Sequence, residues 1–318
     1  MTSVRNGKLG KSLLFISICS LSGVLSALIF GSSLWLFDIV FLFWPYVTLS
    51  AFCLLLATFL LGERPARLLC SLAFLASLMP FFMQPQAPQG AADRNLRVIS
   101  ANLLMHNDAE PGGFLRFLTE QQPDVLFLQE TEDRWQKAIA ASGLFGYQSS
   151  SNLPARDDMK VFSRLPILSE VRLSSAQAYE RYPMRLVLGT ENDPLILYAL
   201  HPDTPRSPAR WKGRNAYLDG LADAVLSEKE GAKLIVAGDW NTPPWSPYFA
   251  RFFEKSGLFF ARASNVPVMT RFSRRLPFRF GSMIDHIAVS GALRLASWRV
   301  GPDFGSNHIP VVADLSFN

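Results

Sequence analysis

The stretch Val236-Ala237-Gly238-Asp239-Trp240-Asn241 joins a β-favouring run, Leu234 to Ala237, to a glycine, an acid and an amide. Side chains alternate faces along an extended strand, so Asp239 and Asn241 point the same way at the strand's end. A carboxylate placed there can hold a proton or a water, and an amide can donate to a non-bridging phosphate oxygen. Alone, the motif suits a turn equally well, since an acid and an Asn before Pro243-Pro244 are turn chemistry. Recurrence gives it weight. Asn102 interrupts an apolar strand, Gln129-Glu130 closes another, and His201-Pro202-Asp203 a third. Asp285-His286 lies inside an apolar run, and Ser306-Asn307-His308 precedes the last one. Six polar stations with the same placement predict strand ends converging on a cleft.

The elements that must position them are short and β-rich. Strands are expected over 96–104, 124–128, 159–162, 186–188, 195–200, 233–237, 283–290, 293–300 and 309–317. Helical patterns cover 113–122, 134–142, 210–228 and 246–256, the last introduced by Pro243-Pro244. Strands dominate and helices are interspersed irregularly. This predicts an α/β (α+β) fold, a four-layer sandwich of two packed, mostly antiparallel sheets with helices outside, rather than a doubly wound parallel sheet.

The first ninety residues differ in kind. Mean hydropathy over the 318 residues is above zero, and the excess sits in three apolar runs, 13–33, 39–61 and 66–83. A bilayer-spanning helix needs about 20 apolar residues, so three transmembrane helices are predicted. The first reads as a retained anchor rather than a cleaved leader, because no small-x-small site follows it and two further runs do. Gly23, Ser26, Gly31 and Ser32 would let helices pack closely. Arg5, Lys8 and Lys11 precede the first run and Arg64 and Arg67 lie between the second and third, whereas the other turn carries only Asp38. Positive charge stays inside. A multi-pass protein of the inner (plasma) membrane follows, with residues 94–318 facing the periplasmic or extracellular side after a Pro- and Gln-rich linker, 84–93. Cys19, Cys53 and Cys70 all lie in the apolar runs, which excludes a disulfide framework or a cysteine-metal site from Arg94 onward. That region holds 26 basic and 23 acidic residues, a weak footprint for a dedicated nucleic-acid binder.

Taken together, Asn102, Gln129-Glu130, His201, Gly238-Asp239-Trp240-Asn241, Ile284-Asp285-His286 and Ser306-Asn307-His308 resemble the motifs of the endonuclease/exonuclease/phosphatase superfamily, in order and spacing across 94–318. These are metal-dependent phosphoesterases related to deoxyribonuclease I. The resemblance implies a divalent cation, Mg2+ or Mn2+, at Glu130 with Asn102 beside it. It implies His308 as the catalytic imidazole with Asp285 on its other ring nitrogen, and Asp239 orienting or deprotonating water. Asn241 and His201 would grip non-bridging oxygens, and Asn307 would face the substrate; His286 would pack beside the site. The family pattern is Ser-Asp-His where this chain has Ser306-Asn307-His308, and an asparagine offers a carbonyl but no charge.

The three-span layout resembles bacterial membrane members of the superfamily associated with glycopeptide resistance. By that resemblance the expected activity is hydrolysis of a phosphate ester at the outer face of the membrane, the substrate an undecaprenyl-type or phospholipid phosphate. An extracytoplasmic nuclease is the alternative, and a binding module weakened through Asn307 is another. Two basic, aromatic segments could form the substrate rim: Arg271 to Phe280, and Pro205 to Arg214 with Arg206, Arg210, Trp211, Lys212 and Arg214. The bilayer and the phosphate ester are the expected partners; no protein partner is implied.

Overall fold

A computed structural model describes residues 2–90, 95–150, 158–174, 181–262, 264–276 and 280–317. They fall into two units.

The helical unit comprises Met1–Gln84, Pro243–Ala250 and Asn265–Pro267. Its helices are α1 (Thr2–Phe30), α2 (Trp35–Phe41), α3 (Trp44–Leu61) and α4 (Arg64–Leu78), closed by a 3-10 turn, Met79–Phe82. Three stretches are long and apolar enough to cross a membrane: Lys8–Phe30, Trp44–Leu61 and Arg64–Phe82. The run 39–61 is two helices rather than one. Pro45 lacks an N–H and belongs in a first turn, so it starts α3 afresh after α2 ends. The Trp44 indole and the Thr48 hydroxyl both donate to the Ser77 carbonyl, at 2.8 and 3.2 Å. Residues 243–250 are tied into the same unit: the Trp245 indole donates to the Phe41 carbonyl, Tyr248 Oη to the Ser32 carbonyl at 2.7 Å, and Ser246 Oγ to Asp38 Oδ1 at 2.8 Å. Asp38, the one acid between the first two spans, is therefore buried with a partner.

The second unit holds two six-stranded sheets. One contains β1 (Leu96–Asn102), β2 (Val125–Gln129), β3 (Tyr147–Gln148), β4 (Lys160–Ser163), β13 (Leu293–Val300) and β14 (Val311–Phe317), in the order β13-β14-β1-β2-β4-β3. The other contains β5 (Ile167–Arg172), β6 (Met184–Thr190), β7 (Asp193–Leu200), β8 (Lys233–Asp239), β9 (Phe259–Phe260) and β12 (Asp285–Val289), in the order β5-β6-β7-β8-β12-β9. Pairing is antiparallel except between β1 and β2 and between β7 and β8. A small ribbon, β10 (Arg271–Phe272) with β11 (Gly281–Ser282), stands apart.

Alternation builds the layers. Val98, Val125, Val311 and Ala313 of the first sheet bury against Leu186, Leu197, Ile235 and Ile287 of the second. The opposite face of the first sheet, with Ile99, Leu126 and Val312, packs on Phe114 and Phe117 of α5 (Gly112–Gln121) and Trp135 of α6 (Asp133–Ala141). Helices α7 (Pro208–Leu226) and α8 (Pro247–Ser256) follow the second sheet's β7 and β8. The four-layer expectation holds. The short strands β3, β9, β10 and β11 carry too few residues to show alternation.

The segment read as a linker is ordered where described. Ala87 N–H donates to the Phe260 carbonyl at 2.8 Å and Gly90 N–H to the Leu295 carbonyl at 2.9 Å. It thus covers the edges β9 and β13, whose backbone groups would otherwise be unpaired. Its Pro and Gln composition marks extended backbone, which serves an edge as well as a tether. Residues 91–93 of it lie outside the described residues.

Across the first sheet Arg97 faces Asp314 and binds it at 2.5 and 3.0 Å; Ser297 and Arg299 join at 2.7 and 2.9 Å. Burial opposes the Asp314 charge, but these bonds outweigh it and hold the carboxyl down to about 2, against an ordinary 3.8. A depressed carboxyl contributes stability that is complete above the ordinary value and is lost as pH falls through the lower one. Asp314→Asn should therefore cost about 2 kcal/mol at pH 7, with about half of that difference gone by pH 3. Urea unfolding of variant and parent at both pH values checks this; a pH-independent difference would contradict it.

Candidate active site

Topology explains why the polar stations meet. Strands β1 and β2 run parallel, with Asn102 opposite Gln129, so Asn102 and Glu130 leave the sheet together. In the second sheet β7 and β8 run parallel, with Leu200 opposite Gly238, so His201 and Asp239 also leave together. Strand β12 runs against β8 and begins at that same end, with Asp285 opposite Asp239. Strand β14 runs against β1, so His308, just ahead of it, arrives at Asn102's end. Parallel strands thus contribute their C-terminal ends and their antiparallel partners their N-terminal ends.

The geometry is close. His308 Nδ1 lies 2.9 Å from Asp285 Oδ2, and its Nε2 lies 3.8 Å from Asp239 Oδ2. His201 Nε2 lies 3.6 Å from Asp239 Oδ2 and 3.7 Å from Glu130 Oε1. Asn102 Nδ2 bridges Glu130 Oε1 at 3.3 Å and Asp239 Oδ2 at 3.2 Å. Asp239, Asp285, His201 and His308 are all buried. Leu104, Glu130 and Asn241 have positive φ (63°, 48° and 47°) without being glycine, a concentration of strained backbone around one site.

The charges act on one another. Burial and the neighbouring Asp285 push the Asp239 carboxyl up to about 6, against the opposing pull of both histidines. Burial works against protonation of His308, but Asp285, Asp239 and Glu130 outweigh it and raise the imidazole above its ordinary value. His201 behaves likewise: burial is overcome chiefly by Asp158.

Two predicted residues, Asn241 and Asn102, make contacts within the protein. The strand ends at Asp239, and Asn241 sits beyond it in left-handed backbone, so alternation does not aim its side chain. Asn241 N–H donates to Asp239 Oδ1 at 2.9 Å and its side-chain Nδ2 to the Pro202 carbonyl at 2.9 Å; it shapes the loop around Asp239. Asn102 turns its carbonyl to Leu104 N–H at 3.0 Å and its amide nitrogen to the carboxylates. In this arrangement its amide nitrogen holds Glu130 and Asp239 in place.

Other predicted residues divide between site and scaffold. Gln129 is fully buried beside Ser100. His286 packs against Trp240 and Phe260, its Nε2 facing the Thr242 carbonyl at 2.9 Å, and burial brings it down to about 3. Arg214 is no rim residue: it is 1 % exposed and donates to the Asn241 carbonyl and Thr242 Oγ1. Of the other rim segment, Arg271 and Phe272 form β10, and 277–279 lie outside the described residues.

Three supporting residues had no local signal. Asp158 Oδ1 takes His201 Nδ1 at 3.0 Å, which turns Nε2 to the carboxylates. Arg181 pairs with Asp158 at 3.1 Å and donates to the His201 carbonyl. Thr270 Oγ1 accepts from Ile284 N–H and Asp285 N–H, both at 3.1 Å, while its carbonyl accepts from Ile309 N–H at 2.8 Å. An acid in 157–158 or a lone threonine carries no sign in the sequence of what it will touch.

The site fits a hard divalent cation. Asp239, Asp285 and His308 offer ligand atoms within 4.8 Å of one another. Asn307 presents a buried carbonyl oxygen, Oδ1, with no hydrogen-bond partner among the described residues. The clustered carboxylate oxygens are donors that a divalent cation can take.

A model of the endonuclease/exonuclease/phosphatase family matches residues 99–308. No curated protein matches the chain. Among solved structures, the human Nocturnin catalytic domain with bound sulfate superimposes with a TM-score of 0.56 at 20% identity, covering 75% of this chain and 99% of that one. Truncated Caenorhabditis elegans TDP2 gives 0.56 at 17%, covering 70% and 98%. Sphingomyelinase C from Streptomyces griseocarneus gives 0.50 at 16%, covering 69% and 98%. At these identities the likeness is one of fold.

Proposed function

The chain belongs to the endonuclease/exonuclease/phosphatase family, and from that premise we propose that it is a divalent-metal-dependent phosphoesterase acting on a lipid phosphate at the outer face of a membrane. The observation that carries the chemistry is the buried Asp285–His308 pair facing Asp239, with His201 and Glu130 converging on the same carboxylate. A divalent cation held by the Glu130 carboxylate would supply Lewis-acid polarisation of the phosphoryl group. The chain's own residues divide the remaining work. Asp239, pushed up to about 6, is a better proton acceptor than an ordinary carboxylate and takes the proton of the attacking water. The water oxygen adds to phosphorus and the P–O ester bond breaks; the departing alkoxide takes a proton from solvent and leaves as the alcohol. His308, held protonated by Asp285, donates to a non-bridging oxygen as charge builds there, and His201 does so from the other side.

The membrane-crossing helices favour lipid over soluble esters, and basic residues flanking the first and third spans favour an outward-facing catalytic unit. The test is hydrolysis by the full chain in detergent micelles. Substrates are bis(p-nitrophenyl) phosphate, a long-chain p-nitrophenyl alkyl phosphate and supercoiled plasmid, each with magnesium and with excess chelator. Chelator-sensitive hydrolysis of the phosphate esters supports the reading. Full activity in chelator sinks the metal dependence. Plasmid nicking without lipid-ester turnover would shift the substrate to nucleic acid, a reading with one point in its favour: the like-folded Danio rerio TDP2 is seen with a single-strand DNA product.

Asp158 is a positioning residue for His201. Asp158→Asn removes the charge that keeps this imidazole protonated, so its protonated form is lost at lower pH. Turnover should fall about 10–100-fold, and the alkaline limb of the kcat/KM profile should move to lower pH. An unmoved limb would leave Asp158 a merely structural role.

A further inference from the structure

Several arginines of the second unit use one edge of the guanidinium, Nε with Nη2, to grip a carboxylate through two parallel bonds. Arg97 holds Asp314 this way at 2.5 and 3.0 Å. Arg185 holds Glu228 at 2.5 and 3.0 Å, and Arg251 holds Asp219 at 2.9 and 2.7 Å. Arg262, in the same unit, departs from that pattern. Its Nε and Nη2 are both buried and have no hydrogen-bond partner among the described residues, and the residue is 2% exposed. Its Nη1 donates to Met283 Sδ at 2.9 Å, and a thioether is a weak acceptor.

Backbone pairing fixes where this side chain stands. Arg262 follows β9, the edge strand of the second sheet, and Ala261 N–H donates to the Ile287 carbonyl at 3.0 Å. Arg262 therefore lies beside the start of β12. Trp298 belongs to β13, the edge strand of the first sheet, and the Arg262 Cζ lies 4.9 Å from its ring centroid. A ring stacked on a guanidinium covers its face and leaves its edge to bind. The Trp298 indole N–H is itself a buried donor with no hydrogen-bond partner among the described residues. Unpartnered donors from both sheets thus gather where the two edges meet.

The energetics say what suits them. A buried cation without a counter-charge is costly, and burial brings the Arg262 guanidinium down to about 10. The ring face and the thioether offset only part of that. A guanidinium fork matches the paired oxygens of a carboxylate, phosphate or sulfate. The depth of burial suits a small free ion rather than a group carried on a large molecule.

We propose that Arg262 and Trp298 form a binding site for a free tetrahedral oxyanion of the phosphate or sulfate class, gripped by the Nε–Nη2 edge where the two sheets meet. The ion supplies the counter-charge that Asp314, Glu228 and Asp219 supply to the other three arginines. Neither residue belongs to the catalytic set, so the site stands or falls independently of hydrolysis.

The experiment is equilibrium dialysis of the full chain in dodecyl maltoside against radiolabelled inorganic phosphate, with excess chelator so that no metal recruits the ion elsewhere. Saturable uptake by the parent is expected, and equal uptake by His308→Ala, which alters the catalytic site. Arg262→Met keeps an unbranched apolar side chain without the charge and should abolish uptake. Arg262→Lys keeps the charge without the fork and should weaken it about tenfold. Phosphate should also raise the parent's melting temperature progressively with concentration and leave that of Arg262→Met unmoved. Sulfate should displace the label, and hexadecyl phosphate in the micelle should not. Uptake that rises without saturating, an adventitious ion only, would overturn the site, as would saturable uptake that persists in Arg262→Met or is lost in His308→Ala. Displacement by hexadecyl phosphate as readily as by sulfate would replace the free ion with a lipid headgroup and overturn the proposal.

Discussion

Replacing His308 with alanine is expected to lower phosphoester hydrolysis by about 10²–10⁴-fold, the range general acid–base and charge-stabilising groups contribute. The side chain is 5% exposed, its Nδ1 is held by Asp285 at 2.9 Å, and its Nε2 is the one ring atom turned toward Asp239. No other described side chain can take that place: His201 is committed to Asp158, and His286 faces the Thr242 carbonyl. Removing the ring also leaves the Asp285 carboxylate buried without its partner, which destabilises the chain. Asp285→Asn separates the two effects. It keeps the shape and removes the charge, so the imidazole loses its protonated form and its fixed tautomer. Turnover should again drop by orders of magnitude while the melting temperature changes far less than in His308→Ala. Steady-state rates on bis(p-nitrophenyl) phosphate, with thermal melts as the control, decide it. Activity within tenfold of the parent in both variants would remove His308 from the mechanism.

Gly238→Ala is the second large effect, and it acts through the backbone. Gly238 has φ +151°, which side-chain-bearing residues rarely adopt, and a Cβ there would stand 2.0 Å from the Leu200 carbonyl oxygen and 3.0 Å from its carbon. Both obstacles are main chain of the neighbouring strand, paired in register, and neither can swing aside. Strands β7 and β8 must separate at the end that carries His201 and Asp239. The expected cost is about 3 kcal/mol or more, a fall in melting temperature of about 6–12 °C for a unit of this size. Hydrolysis should fall about a hundredfold even in the folded fraction, because an ångström of misplacement is worth that much. A variant that melts within about 2 °C of the parent would show that the strand pair yields at this point.

This glycine also shows where reading by alternation stopped working. The motif around it was legible as a strand ending in chemistry, and Asp239 lies where that reading put it. Asn241 does not, because Gly238 and the turn after Asp239 break the two-residue period on which the inference depended. Arg214 read as part of a basic rim because its helix begins with several basic residues; it is buried because Asn241 and Thr242, 27 and 28 residues later, supply its acceptors. Residues 84–93 read as a tether because Pro and Gln suit extended chain, and only the open edges of β9 and β13 turn the extension of 85–90 into pairing.

The sequence by itself determined what depends on local chemistry. Runs of apolar residues long enough to cross a membrane, strand periods, and the identity of the polar residue at each strand end all follow from side-chain type and spacing over a few residues. Only the tertiary structure decided which groups pair. Asp285 serves His308 from 23 residues away and Asp158 serves His201 from 43. A hydrogen bond needs placement to within a few tenths of an ångström. That placement is set by the register of strands that are distant in sequence and by two sheets packing face to face, quantities that no local pattern encodes.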